Sequence, residues 1–228
     1  MPTRTFRSRT EFAVVMAGGV ALTAVAGYVN AIALLLGSDP VTHLTGTVSR
    51  LSVDLGQGDR EDALLVAGLV ASFVVGAVLS GVILGASTLR FGRRYGVAIL
   101  LEAALIAAAA LAVPVSLNAG ALLAASAAGL QNAMASSYRS LIIRTTHVTG
   151  LLTDLGFMAG QRLGGHDVGL WRFGFVGMLV AGFVAGGIAG VSAHAALHEQ
   201  ALWIPAGLLA LGGAGYFFGR KALGSTAP

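Results

Sequence analysis

Six long apolar stretches alternate with short polar breaks along the chain, at about Phe12 to Leu36, Ala63 to Ser87, Gly96 to Val113, Ala119 to Ser137, Phe173 to Ala196 and Ala201 to Gly219. As helices rising about 1.5 Å per residue, all six approach or exceed the roughly 30 Å of a hydrocarbon core. Two polar-apolar segments, Thr42 to Gln57 and Thr146 to Gln161, interrupt the pattern after the first and fourth stretches. Their helix-like parts run roughly twelve residues, about 18 Å, and are too short to cross.

The two short segments are near copies. THLTGTVSRLSVDLGQ and THVTGLLTDLGFMAGQ share Thr42/Thr146, His43/His147, Thr45/Thr149, Gly46/Gly150, Leu51/Leu155, Gly56/Gly160 and Gln57/Gln161. Their flanks repeat too: Ala26 to Ala33 matches Ala128 to Ala135, and Leu69 to Gly76 matches Leu179 to Gly186. The chain reads as a duplication, with units at 12–113 and 114–219 and short tails at 1–11 and 220–228.

Composition places this pattern in a membrane. The chain is 56% hydrophobic and only 11% charged, with a mean hydropathy of +0.82; a soluble surface carries about twice that charge. The net charge of +4 is spread between apolar segments rather than along one face, so it argues for topology and not for nucleic acid. Cysteine is absent, which excludes disulfides and thiolate chemistry. MPTRTFRSRT before an apolar run looks like a leader peptide, but that run carries Gly27 and Asn30, repeated at Gly129 and Asn132, so it is expected to remain.

Six spans with a cytoplasmic N-terminus put Arg4, Arg7, Arg9, Arg90, Arg93, Arg94, Arg139, Arg144, Arg162, Arg172, Arg220 and Lys221 inside, leaving Arg50 and Arg60 outside. Eight spans would export Arg90, Arg93, Arg94, Arg139 and Arg144. The expected fold is therefore an all-α integral membrane protein of six transmembrane helices. It is a 3+3 inverted-topology repeat with one re-entrant half-helix per repeat, at 42–57 and 146–161. Asp59 to Asp62 must stay near the surface, so the C-terminal end of the first half-helix is shallow and its THxTG end deep. Gly68, Ser72, Gly76 and Ser80, and then Gly182, Gly186 and Gly190, form small-residue ladders. They are read as cradles for the half-helices or as plain helix packing.

Candidate chemistry gathers at the two motifs. Opposed helix N-termini offer unpaired N–H groups to an anion or strong acceptor. Thr45 and Thr149 are expected to cap or bond a solute, and Gly46 and Gly150 to allow close approach. His43 and His147 can gain a proton near neutral pH or hold the loop through a backbone bond. Asn30 and Asn132 line a pathway or join helices. Arg50 and Asp154 hold the same place in the two copies and either gate across the pseudo-two-fold axis or sit in solvent, with Asp54 a local competitor for Arg50. Glu102, without a counterpart, is a proton carrier, a buried acid or a dimer contact. Neither the two motif histidines nor His194, His198 and Glu199 make a good metal set, and no metal or other cofactor is expected.

TTHVTGLLTD, Thr145 to Asp154, resembles the T-x-x-TG-x-x-TD segment of the YoaK-like family of bacterial inner-membrane proteins of unknown function. VTHLTGTVSR resembles the family's first motif, with Thr47 where relatives carry Asn. The resemblance runs from Gly27 to the last span and implies six membrane spans and a multi-pass inner-membrane location, while naming no substrate. The expected function is a secondary transporter or channel, not an enzyme, for a small anionic or polar solute bound between the half-helix N-termini. An intramembrane enzyme with His43 or His147 as base, and a membrane scaffold, stand as alternatives. The expected partners are the lipid bilayer and the solute, with a homodimer left open and no nucleic acid.

Overall fold

The computed structural model describes residues 9–85, 93–136 and 145–218. The basic positions Arg4, Arg7, Arg90, Arg139, Arg144, Arg220 and Lys221 lie outside those residues, as do most of both tails. Among the described residues the chain forms eight α-helices: α1 (Arg9–Leu35), α2 (Leu44–Gln57), α3 (Arg60–Leu84), α4 (Arg93–Ala112), α5 (Leu117–Ser136), α6 (Val148–Leu163), α7 (Leu170–Leu197) and α8 (Trp203–Phe218). A 3-10 turn, His198–Leu202, joins α7 to α8.

Local chemistry explains the joints. The chain leaves α2 through Gly58, whose φ of 78° is left-handed. Asp59 then caps α3 by accepting the Asp62 N–H at 3.3 Å, with Glu61 and Asp62 in the favourable first turn. Residues 113–116 turn α4 tightly into α5, and Ser116 Oγ accepts the Ala119 N–H at 3.3 Å. So short a link makes α4 and α5 an antiparallel pair.

Packing follows the duplication. On α1, Val20, Ala24 and Tyr28 meet Gly182, Gly186 and Gly190 of α7 in ascending order, so these helices run parallel. On α5, Leu122 and Ser126 meet Gly68 and Gly76 of α3 in the same sense, and Ser126 Oγ donates to the Ser72 carbonyl at 3.0 Å. A Cβ at Gly27 would overlap the Phe183 carbonyl, and one at Gly129 would overlap the Phe73 carbonyl, the corresponding residue of the other copy. The small-residue ladders thus seat α1 and α5 backbone to backbone, rather than the half-helices. The cradle expectation is corrected in favour of packing between long helices.

The remaining contacts set α4 against α8 head to tail. Gly213 lies against Gly96 and Leu100 at the start of α4, while Leu202 shares a small apolar void with Val113 beyond its end. α5 runs opposite to α1. Gln131 Nε2 donates to the Leu22 carbonyl at 2.6 Å, and Val29 and Ala33 share the same void with Gly120 and Ala124. The main apolar core draws on α1, α3, α4, α5 and the start of α8, with alanine filling much of the α4–α5 face.

The outward faces are apolar. Val74, Val78 and Val82 on α3, Ile188 on α7 and Leu211 on α8 are more than half exposed, a pattern that suits lipid and not water. By length and composition four segments qualify as membrane spans: Ala13–Leu35, Arg60–Leu84, Arg93–Ala112 and Leu170–Tyr216. The last contains both α7 and α8 in one apolar run. The 20-residue α5 does not qualify, and it is the helix that carries Asn118, Gln131 and Asn132.

Candidate functional site at the half-helix tips

Each short helix starts from a residue tied to the preceding long helix. Asn30 Oδ1 on α1 accepts both the N–H and the hydroxyl of Thr42, at 3.3 and 3.0 Å. In the second copy Asn132 Oδ1 on α5 accepts the Thr146 hydroxyl at 3.0 Å. Thr42 and Thr146 are buried, so these amides spend their carbonyls anchoring the loops that deliver α2 and α6. That structural use accounts for an amide inside each long helix. Thr47 adds a weaker tie in the first copy, donating to the Pro40 carbonyl at 3.3 Å.

The histidines, not the threonines, occupy the N-cap positions. His43 precedes α2 in an extended conformation and makes no side-chain cap, whereas His147 Nδ1 accepts the Gly150 N–H at 2.9 Å. An accepting Nδ1 carries no hydrogen, so the His147 ring holds its proton on Nε2, which remains a donor while the cap is in place. Thr45 and Thr149 are the second residues of α2 and α6 and are exposed, and their carbonyls accept the hydroxyls of Ser49 and Thr153, each at 2.9 Å. The expectation that Thr45 and Thr149 cap the helices is corrected. Both threonines face outward, with Gly46 exposed beside Thr45 and Gly150 buried beside Thr149.

The two tips lie within electrostatic reach. Partial burial first, and then repulsion from the His147 ring whenever that ring is protonated, hold the His43 imidazole below its ordinary range. The stability that neutral His43 contributes is therefore present above the usual histidine pKa and is lost as pH falls through the lowered one. The helices themselves do not pack: α2 rests on α3 and α6 on α7, and no Cα of α2 comes within 8 Å of α6.

Arg50 does not reach Asp154. Its guanidinium grips Asp39 at 2.7 Å and Asp62 at 2.9 Å, with Asp54 at 3.7 Å, while Asp154 is exposed and has no ion pair among the described residues. The cross-repeat gate is corrected to a local clamp that binds α2 to the loop before it and to α3. Two carboxylates lie within reach of Arg50 on neighbouring segments, so a distant partner is not needed. Arg50 and Asp62 are about half open to solvent while Asp39 and Asp54 are mostly covered, so Arg50→Gln should lower thermal stability by about 1 kcal/mol, the upper end for a partly exposed pair. A loss several times larger in detergent melts would mean the clamp carries the fold.

Sequence reasoning missed Asp39. Asp39 is separated from Arg50 by the turn into α2, and only the fold brings them together. Gln131, the amide beside Asn132, replaces Val29 of the first copy and joins α5 to α1. At the far end of α7, His194 and His198 meet edge to face at 6.0 Å, and no group of three or more metal-type side chains gathers among the described residues.

An all-helical bundle with several helices long and apolar enough to cross a bilayer defines a membrane-type protein. The chain belongs to the family described as Protein of unknown function (DUF1275), whose pattern matches residues 18–215. No curated protein and no solved structure gives a significant match.

Proposed function

We propose that the protein is a secondary transporter or channel of the inner membrane that passes a small anionic or polar solute between the N-terminal tips of α2 and α6. In this reading α1, α3, α4, α5, α7 and α8 cross the bilayer as a 3+3 inverted repeat, and α2 and α6 enter from opposite faces. The helix directions support it: α1 opposes its counterpart α5, and α4 opposes α8. The YoaK-like resemblance is compatible with the family match.

The observation that carries the reading is the twice-used tether, Asn30 to Thr42 and Asn132 to Thr146, which holds two short helices by their N-termini. A helix tip held in that way presents N–H donors and about half a positive charge to whatever lies before it. The α2 tip, lacking a side-chain cap, keeps more of its N–H groups free and is the stronger donor site of the two. Non-helical backbone at membrane depth is stable only when buried in protein or lining a watery path, and in this reading the loops before α2 and α6 border such a path, with the exposed Thr45, Gly46 and Thr149 facing it.

The test is flux. Thr45→Val with Thr149→Val should reduce uptake of chloride, phosphate or acetate into proteoliposomes at least about tenfold, the loss of roughly 1.4 kcal/mol of solute stabilisation. The melting temperature should stay unchanged, because both hydroxyls are solvent-facing. Wild-type uptake rates in the double variant would remove the tips from the pathway.

A further inference from the structure

Glu102 is the tenth residue of α4, and it is fully buried with no hydrogen-bond partner among the described residues for either Oε1 or Oε2. Helical spacing puts it on the same face as Tyr95, Ala98, Ile106 and Ala109. The ionisable groups on the elements packed against α4 all stand elsewhere. They are Tyr216 on α8, His198 and Glu199 in the 3-10 turn, and Arg60, Glu61 and Asp62 at the start of α3, while α5 carries none. On α4 itself, Arg94 bonds the Leu84 carbonyl at 3.3 Å and the Tyr95 hydroxyl bonds the Met134 carbonyl at 2.7 Å. The nearby phenol of Tyr28 is taken by the Ala201 carbonyl at 3.0 Å.

A carboxylate buried among apolar side chains without a protein partner is not sustained at such a place, so Glu102 rests as the uncharged acid. Even that form leaves a donor and acceptors unmet, and an apolar residue of similar volume would pack with less cost. Stability does not explain the residue.

The surroundings supply a use. An apolar cleft of about 570 Å³ opens between α1 and α8, and Tyr95 and Ile99, two turns and one turn before Glu102, form part of its wall. The cleft marks where the duplication is broken. The hairpin at 113–116 ties α4 closely to α5, while the corresponding pair, α8 and α1, has no such link and barely touches. Gly212, which falls opposite Glu102 in the register that aligns Phe73 with Phe183, also lines the cleft.

We infer that Glu102 is a proton-binding site that couples solute movement to proton movement, protonated while buried and releasing its proton to water when α1 and α8 part. Release leaves a hydrated carboxylate and one hydronium ion, and closure requires the proton to return. The inference rests on the transport reading and names its coupling ion.

The experiment uses full-length protein in proteoliposomes with pyranine inside. An imposed chloride, phosphate or acetate gradient should move protons in the wild type, and Glu102→Gln should cut that movement at least about tenfold, the equivalent of about 1.4 kcal/mol. Anion flux should persist in the variant, freed from its dependence on the pH gradient. In parallel, dicyclohexylcarbodiimide should modify Glu102 in the wild type, as read by peptide mass spectrometry, which needs no variant to fold. Unchanged proton coupling in Glu102→Gln, or an unmodified Glu102, overturns the coupling site while leaving transport standing. A wild type that moves none of the three anions overturns both.

Discussion

Leucine at position 186 or at position 76 should leave almost no folded protein. Gly186 on α7 lies against the Ala24 backbone of α1, and Gly76 on α3 lies against the Ser126 backbone of α5, so close that even one added carbon would overlap a carbonyl oxygen. Side chains can yield to such an insertion by changing rotamer, but two long helices in backbone contact can only separate. Overpacking by a methylene or two in a tight core costs about 1–3 kcal/mol, and four carbons against rigid backbone should exceed that. Separation would also take apart the α1–α7 or α3–α5 interface, the two most extensive in the molecule. Size-exclusion profiles and thermal melts in detergent give the readout. Gly156→Ala, on the open side of α6 where no atom lies within 4 Å of the added carbon, is the control and should behave as wild type. A well-folded Gly186→Leu would mean that the helices do not meet as described.

The second large effect is expected at the tethers, and it should be unequal. Asn30→Leu strands two buried donors, the N–H and hydroxyl of Thr42, whereas Asn132→Leu strands the Thr146 hydroxyl alone. Each orphaned group should cost on the order of 1–2 kcal/mol, the lower part of the soluble range because polar groups in a membrane find substitute partners. Asn30→Leu should therefore melt lower than Asn132→Leu. If the proposed transport holds, both should abolish anion flux, since each frees a short helix from its long helix. Adding Thr42→Val to Asn30→Leu removes the stranded hydroxyl and should recover part of the lost stability. Equal melting points for the two leucine variants, or no recovery in the double variant, would contradict the tether account.

These two sites differ in how far the sequence exposes them. Gly27, Gly76, Gly129 and Gly186 repeat in register, and their spacing already announces close helix packing. The spacing does not say which helices meet, because a ladder on α3 reads the same whether it receives α2 or α5. The answer is α5, from the other copy, and only the folded chain supplies it. Asn30 and Asn132 likewise stand out as amides in apolar stretches, while their acceptor role toward Thr42 and Thr146 depends on loops folding back against the helix end. Arg50 shows the limit most plainly. Its alignment with Asp154 suggests a pair, yet Asp39 and Asp62 are nearer in space.

Periodicity, composition and duplication by themselves determined the helical class, the membrane character, the places of the helices to within about three residues and the two short segments between them. Those features depend on which residues are apolar and how often, and hydrophobic burial reads that directly. Tertiary structure alone decided the exchange of partners between copies, the histidine caps, the local clamp on Arg50 and the isolation of Glu102. Each of these depends on the distance between groups far apart in the chain, and a repeat in sequence relates positions without measuring the space between them.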